Sequence, residues 1–328
     1  MSPTLSVVCP NYNYGAYIGK TIESVLSQTR RPDEFIIVDD CSTDDSAKVI
    51  EKYRNQNPWI TLIKNNSNLG AVKNCNKAFG LATGDYIYGI ASDDIIYPDF
   101  FKQAMKLSDQ FPQAGTIMGE VASVDDNGKF FHITKIRRWR KPLYASPQKY
   151  IRDVLFGEYP GLSLSSATIY KRSCLLEAGD FRTDLGGFCD TYRIHSIILK
   201  YGCCYLPYVS SGVWRHGTSF ASAISADPYK MLDIIARAAH LLRSKDISAA
   251  FPMQKIIKWE MRYRKWAIYD ALRLKHKRVF NELNQKGKAG KLLSYILNLL
   301  SYVWCRIPFL PEKKLLQKYK ANLANNTL

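Results

Sequence analysis

The sequence predicts an α/β protein, and three observations carry this prediction. Over the first hundred residues, short β-rich runs alternate with helical stretches, which is the pattern of a mostly parallel sheet with helices on both faces. The 328 residues are enough for one large domain or for a domain with an appendage. Apolar residues make up 46% and charged residues 23% of the chain, without a low-complexity tract, which is typical of a folded protein.

The alternation predicts each element in order. Runs rich in Val, Ile and aromatic residues predict strands, and longer stretches with helical periodicity predict helices. The predicted order is strand 5–9, helix 17–29, strand 34–38, helix 43–55, strand 60–64, helix 70–82, strand 85–90 and helix 98–111. The run 125–128 (DDNG) predicts a hairpin turn between extended segments. From about residue 229 the pattern is helical, so we expect one domain over residues 1–228 and a helical region over residues 229–328.

The positive charge of the chain is concentrated in this second region. Residues 1–228 carry 25 Lys and Arg against 23 Asp and Glu, whereas residues 229–328 carry 21 against 6. The net charge of +17 therefore comes almost wholly from the tail. A basic block of this kind predicts contact with an acidic partner, either anionic lipid or nucleic acid.

The chain start and the cysteines predict a reduced environment. Residues 1–10 lack the basic region and the long apolar run of a signal peptide. The eight cysteines show no Cys-x-x-Cys spacing, and the adjacent Cys203 and Cys204 are poorly placed as a zinc pair. We expect a cytoplasmic protein with structural thiols, and a disulfide or metal role is the less favoured alternative.

Polar residues follow the predicted strands at the points where the strands end. In an open parallel sheet these carboxyl ends share one edge, and ligands bind there. Residues 10–13 (PNYN) follow the first strand, residues 39–44 (DDCSTD) the second and residues 91–94 (ASDD) the fourth. Two acidic pairs and an aromatic side chain are therefore expected to meet at this edge.

Paired carboxylates suit a divalent cation. Like charges packed together raise each other's pKa unless a cation or a hydrogen-bond donor compensates them. Mg²⁺ or Mn²⁺ takes a few carboxylate oxygens and fills its other positions with water and substrate phosphates. Asp93 and Asp94 therefore predict a Mn²⁺ or Mg²⁺ site that faces a diphosphate. A turn or a helix N-cap is the alternative for either pair, and Ser42 and Thr43 are candidate caps of the next helix.

Three ordered blocks resemble the family 2 glycosyltransferases. They are SVVCPNYNYGAYIGKTIESVLSQT, then EFIIVDDCSTDDS, then NLGAVKNCNKAFGLATGDYIYGIASDD, and a weaker likeness continues through SSATIYKRSCLLEAGDF, FCDTYRIHSIILKYG and WRHGTS, to about residue 220. The resemblance implies a GT-A-type, Rossmann-like fold and inverting transfer of a sugar from a nucleotide diphosphate donor. We expect a UDP-sugar donor, a saccharide or lipid-linked acceptor, and a place in cell-surface polysaccharide synthesis.

The resemblance also implies roles for individual residues. The donor nucleotide would be bound by Pro10, Asn11, Tyr12, Asn68 and Lys73, by Asp40 as the acceptor for a pyrimidine N–H, by Asp39 as support for that loop, and by Asp93 at the ribose. Asp94 would hold the metal, with Asp93 and His216 as further ligands. Asp190 falls where the family places its general base, which takes the proton of the acceptor hydroxyl.

Two positions depart from the family pattern. Cys75 stands where many members carry Arg, so a cationic contact to the nucleotide is missing or comes from Lys73. Cys189 precedes Asp190 where a glutamate is usual. A purely helix-starting role for Asp190 and a loop role for His216 are the alternatives.

The tail contains a segment suited to a membrane surface. Residues 292–305 carry no charge, but this run of 14 residues is shorter than the ~20 needed to span a bilayer. Ser294, Asn298 and Ser301 form one polar stripe on an otherwise apolar helix with basic flanks, which predicts a helix lying in the interface. Packing of this helix on the first domain is the alternative.

Two further basic segments have two interpretations each. Residues 255–278 are rich in Lys, Arg, Trp and Tyr, which suits either lipid headgroups or nucleic acid. The cluster 135–141 (KIRRWRK) is either a docking loop for a diphosphate-bearing acceptor or a solvated loop. Because the family often acts on lipid-linked acceptors, we expect peripheral association with the cytoplasmic face of a membrane and no nucleic acid partner.

Other functions fit the sequence less well. A nicotinamide oxidoreductase needs a G-x-G-x-x-G turn after the first strand, and PNYNYG is not one. A nucleic-acid-binding protein leaves the carboxylate edge unexplained, because carboxylates repel phosphate without a metal. A sugar nucleotidyltransferase shares the metal chemistry and is the main alternative. It needs a Gly-rich, Arg-containing N-terminal loop, which this sequence lacks.

Overall fold

The computed structural model describes residues 3–124, 130–155, 164–214 and 228–242, together with residues 260, 261 and 264. Ten strands within these residues form one sheet. The strands are β1 (Leu5–Asn11), β2 (Glu34–Asp39), β3 (Ile60–Lys64), β4 (Tyr86–Gly89), β5 (Asp94–Ile96), β6 (Thr116–Val124), β7 (Phe130–Thr134), β8 (Leu143–Ala145), β9 (Thr168–Lys171) and β10 (Cys203–Trp214).

Eight α-helices lie among the described residues. They are α1 (Ile18–Leu26), α2 (Ser46–Gln56), α3 (Ala71–Leu81), α4 (Phe100–Gln110), α5 (Pro147–Tyr150), α6 (Arg172–Ala178), α7 (Cys189–Tyr201) and α8 (Pro228–Leu242). A π-helical turn at Ile151–Leu155 and 3-10 helices at Ser165–Ala167 and Thr183–Phe188 complete the described elements.

The first half of the sheet is parallel. Its strand order is β3-β2-β1-β4, and every neighbouring pair in it runs in the same direction. Asn11 lies opposite Asp39, and Asp39 lies opposite Lys64. The carboxyl ends of these strands therefore meet at one edge, as the alternating sequence pattern predicts.

The second half of the sheet mixes strand directions. β9 lies antiparallel between β4 and β6, and β10 runs parallel to β6. β5 pairs antiparallel with β10 and is the last strand in the order, while β7 and β8 add antiparallel to β6 and β10. The predicted α/β class is confirmed, with antiparallel strands added beyond the parallel part.

Apolar side chains from strands and helices form the core. β1 and β2 are buried almost throughout, as expected of strands covered on both faces. α1 buries Ile18 and Ile22, which are one helical turn apart. α4 buries Phe100 and Phe101, whose rings meet Tyr88 of β4 edge-on. This packing holds the strand ends at fixed positions.

Helix α2 begins later than the sequence predicts, because the preceding loop uses its polar groups internally. Ser42 Oγ donates to Asp39, and Thr43 N–H donates to the side chain of Asn13. α2 then starts at Ser46. The interpretation of Ser42 and Thr43 as caps of this helix is therefore wrong.

The start of α4 and the hairpin predicted at residues 125–128 are two further boundaries. α4 begins at Phe100, two residues after Pro98, because Asp99 adopts a left-handed conformation with φ of 68°. The predicted hairpin is flanked by the antiparallel strands β6 and β7, while its turn residues lie outside the described part.

The first helix after residue 228 packs on the sheet domain. Ile234, Ile235 and Ala238 of α8 are buried in the same core cluster as the strand residues. Within the described ranges, no helix is both long and apolar enough to cross a membrane. Segment 292–305, and segment 255–278 apart from residues 260, 261 and 264, lie outside those ranges. The division at residue 228 stays a prediction.

Candidate active site

A buried carboxylate ties together the loops after β1 and β2. Asp39 Oδ1 accepts hydrogen bonds from Asn11 Nδ2 at 2.7 Å and from Ser42 Oγ at 2.6 Å. The Ser42 N–H donates to the other carboxylate oxygen, and the backbone N–H of Asp40 donates to the Asn11 carbonyl at 2.8 Å. Asp39 therefore fixes the relative position of the two loops.

Asp40 connects the same edge to the start of α3. Its buried carboxylate accepts hydrogen bonds from Asn65 Nδ2 at 2.7 Å and from the backbone N–H groups of Leu69 and Gly70 at 2.8 and 2.9 Å. Asn65 also donates to the side chain of Asn74. These three donors occupy three of the about four lone-pair positions of the carboxylate, which is 1% exposed.

The other residues with a predicted nucleotide role lie around this carboxylate. Tyr12 is 43% exposed, so its ring is accessible to a planar ligand group. The Pro10 carbonyl accepts a hydrogen bond from Ser92 Oγ at 2.9 Å, which links β1 to the acidic segment after β4. Asn68 accepts a backbone N–H in the loop before α3, and Lys73 is exposed on the first turn of that helix.

Asp93 and Asp94 lie buried at the start of β5, with 9% and 4% of their surface exposed. The Thr21 hydroxyl of α1 lies 2.8 Å from the carbonyl oxygens of both Ser92 and Asp94. Burial, together with the two nearby carboxylates, raises the pKa of Tyr14 to about 12. The acidic pair is therefore close to the loop that follows β1.

The chemistry of the acidic pair fits a divalent cation. In the part of the chain that the structure describes, no group of three or more His, Cys, Asp or Glu side chains is arranged to hold a metal. Mg²⁺ and Mn²⁺ accept two carboxylates when water and substrate phosphates fill their other positions. His216 lies outside the described residues, and Val213, three positions before it, pairs with Asp94.

Asp190 lies in the first turn of α7. Burial raises its pKa, and hydrogen bonds from Ser165 and Thr191 oppose that effect. The Tyr88 hydroxyl donates to the Ser166 carbonyl at 2.6 Å, which places the 3-10 helix Ser165–Ala167 near the carboxyl end of β4. Asp190 is therefore at a helix start and is hydrogen-bonded to a 3-10 helix that contacts β4.

Two cationic side chains that the sequence pattern does not single out lie close to these residues. Lys77 Nζ donates to Asn65 Oδ1 at 2.6 Å, one step from Asp40. The buried Arg193 lies near Cys75, whose pKa burial raises to about 12. Because Arg193 donates to the Leu175 carbonyl and lies over the Phe181 ring, Lys77 is the further candidate, besides Lys73, for a cationic contact to the nucleotide. The spacing of four residues between Lys73 and Lys77 on α3 is the signal that could have found Lys77.

The basic loop 135–141 is anchored by its two apolar residues. Ile136 and Trp139 are buried. The Ile136 N–H donates to Tyr205 Oη at 3.0 Å, and Trp139 Nε1 donates to Asp153 at 3.0 Å. The exposed residues of the loop are Lys135, Arg137, Arg138, Arg140 and Lys141. A solvated loop and a docking loop both accommodate this arrangement.

Comparison with known proteins adds a family and a fold. The sequence profile described as "Glycosyl transferase family 2" matches residues 6–173, just over half of the chain. Glycosyltransferase GlyG of Streptococcus pneumoniae is 31% identical over 136 residues, which cover 41% of this chain and 45% of GlyG. Among curated relatives the matched stretches span from 30% to 70% of the relative's length.

Two solved structures share the fold at low sequence identity. Staphylococcus aureus TarS 1-349 in complex with UDP-GlcNAc has a TM-score of 0.62 and 18% identity, over 92% of this chain and 81% of that one. Mannosyltransferase PcManGT of Pyrobaculum calidifontis, in complex with GDP-Man and Mn²⁺, has a TM-score of 0.59 and 18% identity, over 96% and 83% of the two chains.

Proposed function

This chain belongs to glycosyl transferase family 2, and on that premise we propose that it moves a sugar from a nucleoside diphosphate donor to a hydroxyl of a saccharide or lipid-linked acceptor. We propose UDP as the nucleotide and inversion of configuration at the anomeric carbon. Cell-surface polysaccharide synthesis is the process in which we place this reaction.

The buried acidic pair at the start of β5 is the observation that carries the proposal. Asp93 and Asp94 are adjacent and almost fully buried beside the loop after β1. Two adjacent carboxylates suit a divalent cation, which completes its coordination with the phosphates of a nucleoside diphosphate. A nicotinamide oxidoreductase has no use for such a pair at this edge.

The nucleoside half of the donor fits the loops after β1 and β2. The exposed ring of Tyr12 offers a stacking surface for a base. Asp40 is the proposed acceptor for the ring N–H of uracil, and Asn11 and Asp39 hold its loop in place. The complex of the similarly folded TarS with UDP-GlcNAc supports UDP as the nucleotide.

Asp94 and Asp93 are the residues that would hold Mn²⁺ or Mg²⁺, with His216 as a further proposed ligand. A bound cation neutralises charge on the departing nucleoside diphosphate. Lys73 in the first turn of α3 and Lys77 in its middle add positive charge on the helix that follows Asn68. The Mn²⁺ in the similarly folded PcManGT supports the use of a metal.

Asp190 is the proposed general base. Its raised pKa makes the carboxylate a stronger proton acceptor than an exposed aspartate. It takes the proton of the acceptor hydroxyl while the hydroxyl oxygen attacks the anomeric carbon from the face opposite the departing diphosphate. The single displacement inverts the configuration of that carbon.

The basic tail is proposed to bring the enzyme to the cytoplasmic face of a membrane. The observation behind this proposal is the excess of 21 basic over 6 acidic residues after residue 228. Anionic lipid headgroups attract such a segment.

Calorimetry with UDP in the presence of Mn²⁺ tests the proposed function. We expect binding that is weakened by EDTA and by Asp94→Asn, because both remove the cation that holds the phosphates. Asp109→Asn is the matched control, since Asp109 is an exposed aspartate near the end of α4. Radiolabelled nucleotide sugars incubated with membrane extracts then identify donor and acceptor. Binding of NADH or oligonucleotide instead of UDP, or formation of a nucleotide sugar from a sugar phosphate, would overturn the proposal.

A further inference from the structure

Strand β5 carries the acidic pair, and only one of its edges is paired with another strand. β5 is the last strand in the sheet order, and its antiparallel partner is β10, with Val213 opposite Asp94 and Ser211 opposite Ile96. In a strand, the backbone groups of alternate residues point to the same side. The backbone groups on the outer side of β5 therefore need partners from elsewhere.

Helix α1 supplies side-chain partners for three of these groups, while the Asp94 N–H donates to the Ala91 carbonyl at 3.1 Å. Thr21 Oγ1 lies 2.8 Å from the carbonyl oxygens of Ser92 and Asp94 and can donate to either. Ser24 Oγ accepts the backbone N–H of Ile96 at 3.1 Å. Ser92, Asp94 and Ile96 are alternate residues, so these are the groups on the outer side of the strand.

A third side chain continues the same row just beyond the end of α1. Gln28 Nε2 donates to the Tyr97 carbonyl at 2.7 Å. Thr21 and Ser24 are three residues apart on one face of α1, and Gln28 follows four residues later, beyond the end of the helix. Thr21 and Gln28 are buried, and Ser24 is half-buried. The row of side chains acts in the place of a neighbouring strand.

We propose that Thr21, Ser24 and Gln28 are positioning residues that hold the segment 92–97 and thereby aim the carboxylate of Asp94. This inference rests on the proposed function, in which Asp94 holds the metal. Groups that orient a metal ligand typically change metal affinity or activity by about 10- to 100-fold when they are removed. Thr21 contributes most, because its hydroxyl lies between the carbonyls on either side of Asp93.

Thr21→Val tests the proposal because valine keeps the shape of threonine and removes the hydroxyl. Two readouts are used: the calorimetric affinity for UDP with Mn²⁺, and hydrogen exchange of segment 92–97 in the metal-free protein. We expect the affinity to fall by about 10-fold or more and exchange in this segment to become faster. Thr21→Ser keeps the hydroxyl and should restore both values to near those of the unaltered protein.

Ser27→Ala is the matched control on the same helix. Ser27 is exposed, and its hydroxyl donates to the Ser24 carbonyl within the helix rather than to β5. We expect it to leave both readouts unchanged, while Ser24→Ala speeds exchange at the Ile96 amide.

The outcomes separate the positioning role from the proposed function. If the unaltered protein does not bind UDP with Mn²⁺, the proposed function fails, and exchange alone decides whether α1 holds the segment. If the unaltered protein binds UDP but Thr21→Val matches Ser27→Ala in both readouts, the positioning role is wrong. Equal losses in Thr21→Val and Thr21→Ser would also overturn it, because the effect would then not depend on the hydroxyl.

Discussion

Two aspartates near the start of α7 have opposite electrostatic environments. Asp184 accepts hydrogen bonds from Arg182 at 3.0 and 2.9 Å, which lower its pKa. Burial instead raises the pKa of Asp190. A carboxylate with a raised pKa is the better proton acceptor, so the environments favour Asp190 over Asp184 as the base.

Asp190→Asn is expected to lower kcat by about 100-fold or more while leaving UDP affinity intact, because it removes a general base without changing the side-chain shape. In the unaltered enzyme, kcat should fall as the pH is lowered, and the midpoint of this fall should lie above about 3.9, the usual pKa of an aspartate. The substitution should remove that fall. Steady-state kinetics between pH 4 and 8 check both points, with Asp184→Asn as the control that keeps activity.

The same raised pKa predicts a change in stability. The folded state binds the Asp190 proton more tightly than the unfolded chain does, so the stability present below the unfolded pKa is lost as pH rises through the folded pKa. Asp190→Asn should therefore be more stable than the unaltered protein at neutral pH, and the difference should disappear under acid conditions. Thermal unfolding at several pH values measures this, and a constant difference at all pH values would contradict it.

At the scale of elements, one amide joins α3 to the segment that leads into α7. Asn76 Nδ2 donates to the Phe181 carbonyl at 2.9 Å, and Asn76 Oδ1 accepts the Phe181 N–H at 2.8 Å. The Phe181 ring packs on Phe79 of the same helix, with ring centroids 5.0 Å apart. The position of Asp190, the proposed general base, therefore depends on α3, the helix that starts beside Asp40.

Asn76→Ala is expected to lower the free energy of unfolding by about 1–3 kcal/mol, because it removes the partners of two backbone groups. Asn55→Ala, at an exposed position near the end of α2, should change it by no more than about 0.5 kcal/mol. Urea unfolding of both variants makes the comparison. Equal midpoints would show that the Asn76 contacts are not needed for stability.

The sequence predicts the parallel half of the sheet better than the antiparallel half. β1, β2 and β3 are short, uniform runs bounded by turns, and local pattern is enough to find them. β6 is buried along all nine residues although it contains Glu120 and Thr116, and the register of β10 with β6 shifts between Tyr205 and Val209. Such strands depend on distant partners that a local pattern does not contain.

The residues of the candidate site are also only partly predictable from local sequence pattern. Asp39, Asp40, Asp93 and Asp94 could be predicted because they lie at or shortly after the carboxyl ends of predicted strands. Thr21 could not, because its contact to β5 joins residues 73 positions apart. On sequence alone it is one hydroxyl on an amphipathic helix.

At the scale of the whole molecule, the two regions differ in charge. A chain shortened to end at Lys288 should bind vesicles containing phosphatidylglycerol less strongly than the full chain, because it lacks Lys291, the apolar run 292–305 and the five basic residues after that run. Each basic residue near an anionic surface contributes on the order of 1 kcal/mol. Co-sedimentation at low and high salt, with phosphatidylcholine vesicles as the control, measures the difference. Equal binding of both chains would show that the run packs on the protein.

The left-handed turn after Asp40 has a practical consequence for chemical labelling. Cys41 has φ of 63° and is the exposed thiol among the seven described cysteines, the others being buried or half-buried. Cys41 directly follows Asp40, whose carboxylate is proposed to bind the uracil ring of the donor. Iodoacetamide should therefore alkylate Cys41 first among these seven, and UDP with Mn²⁺ should slow that alkylation. Peptide mass spectrometry can follow the reaction at each cysteine, so the loop carries its own footprinting reporter for donor occupancy.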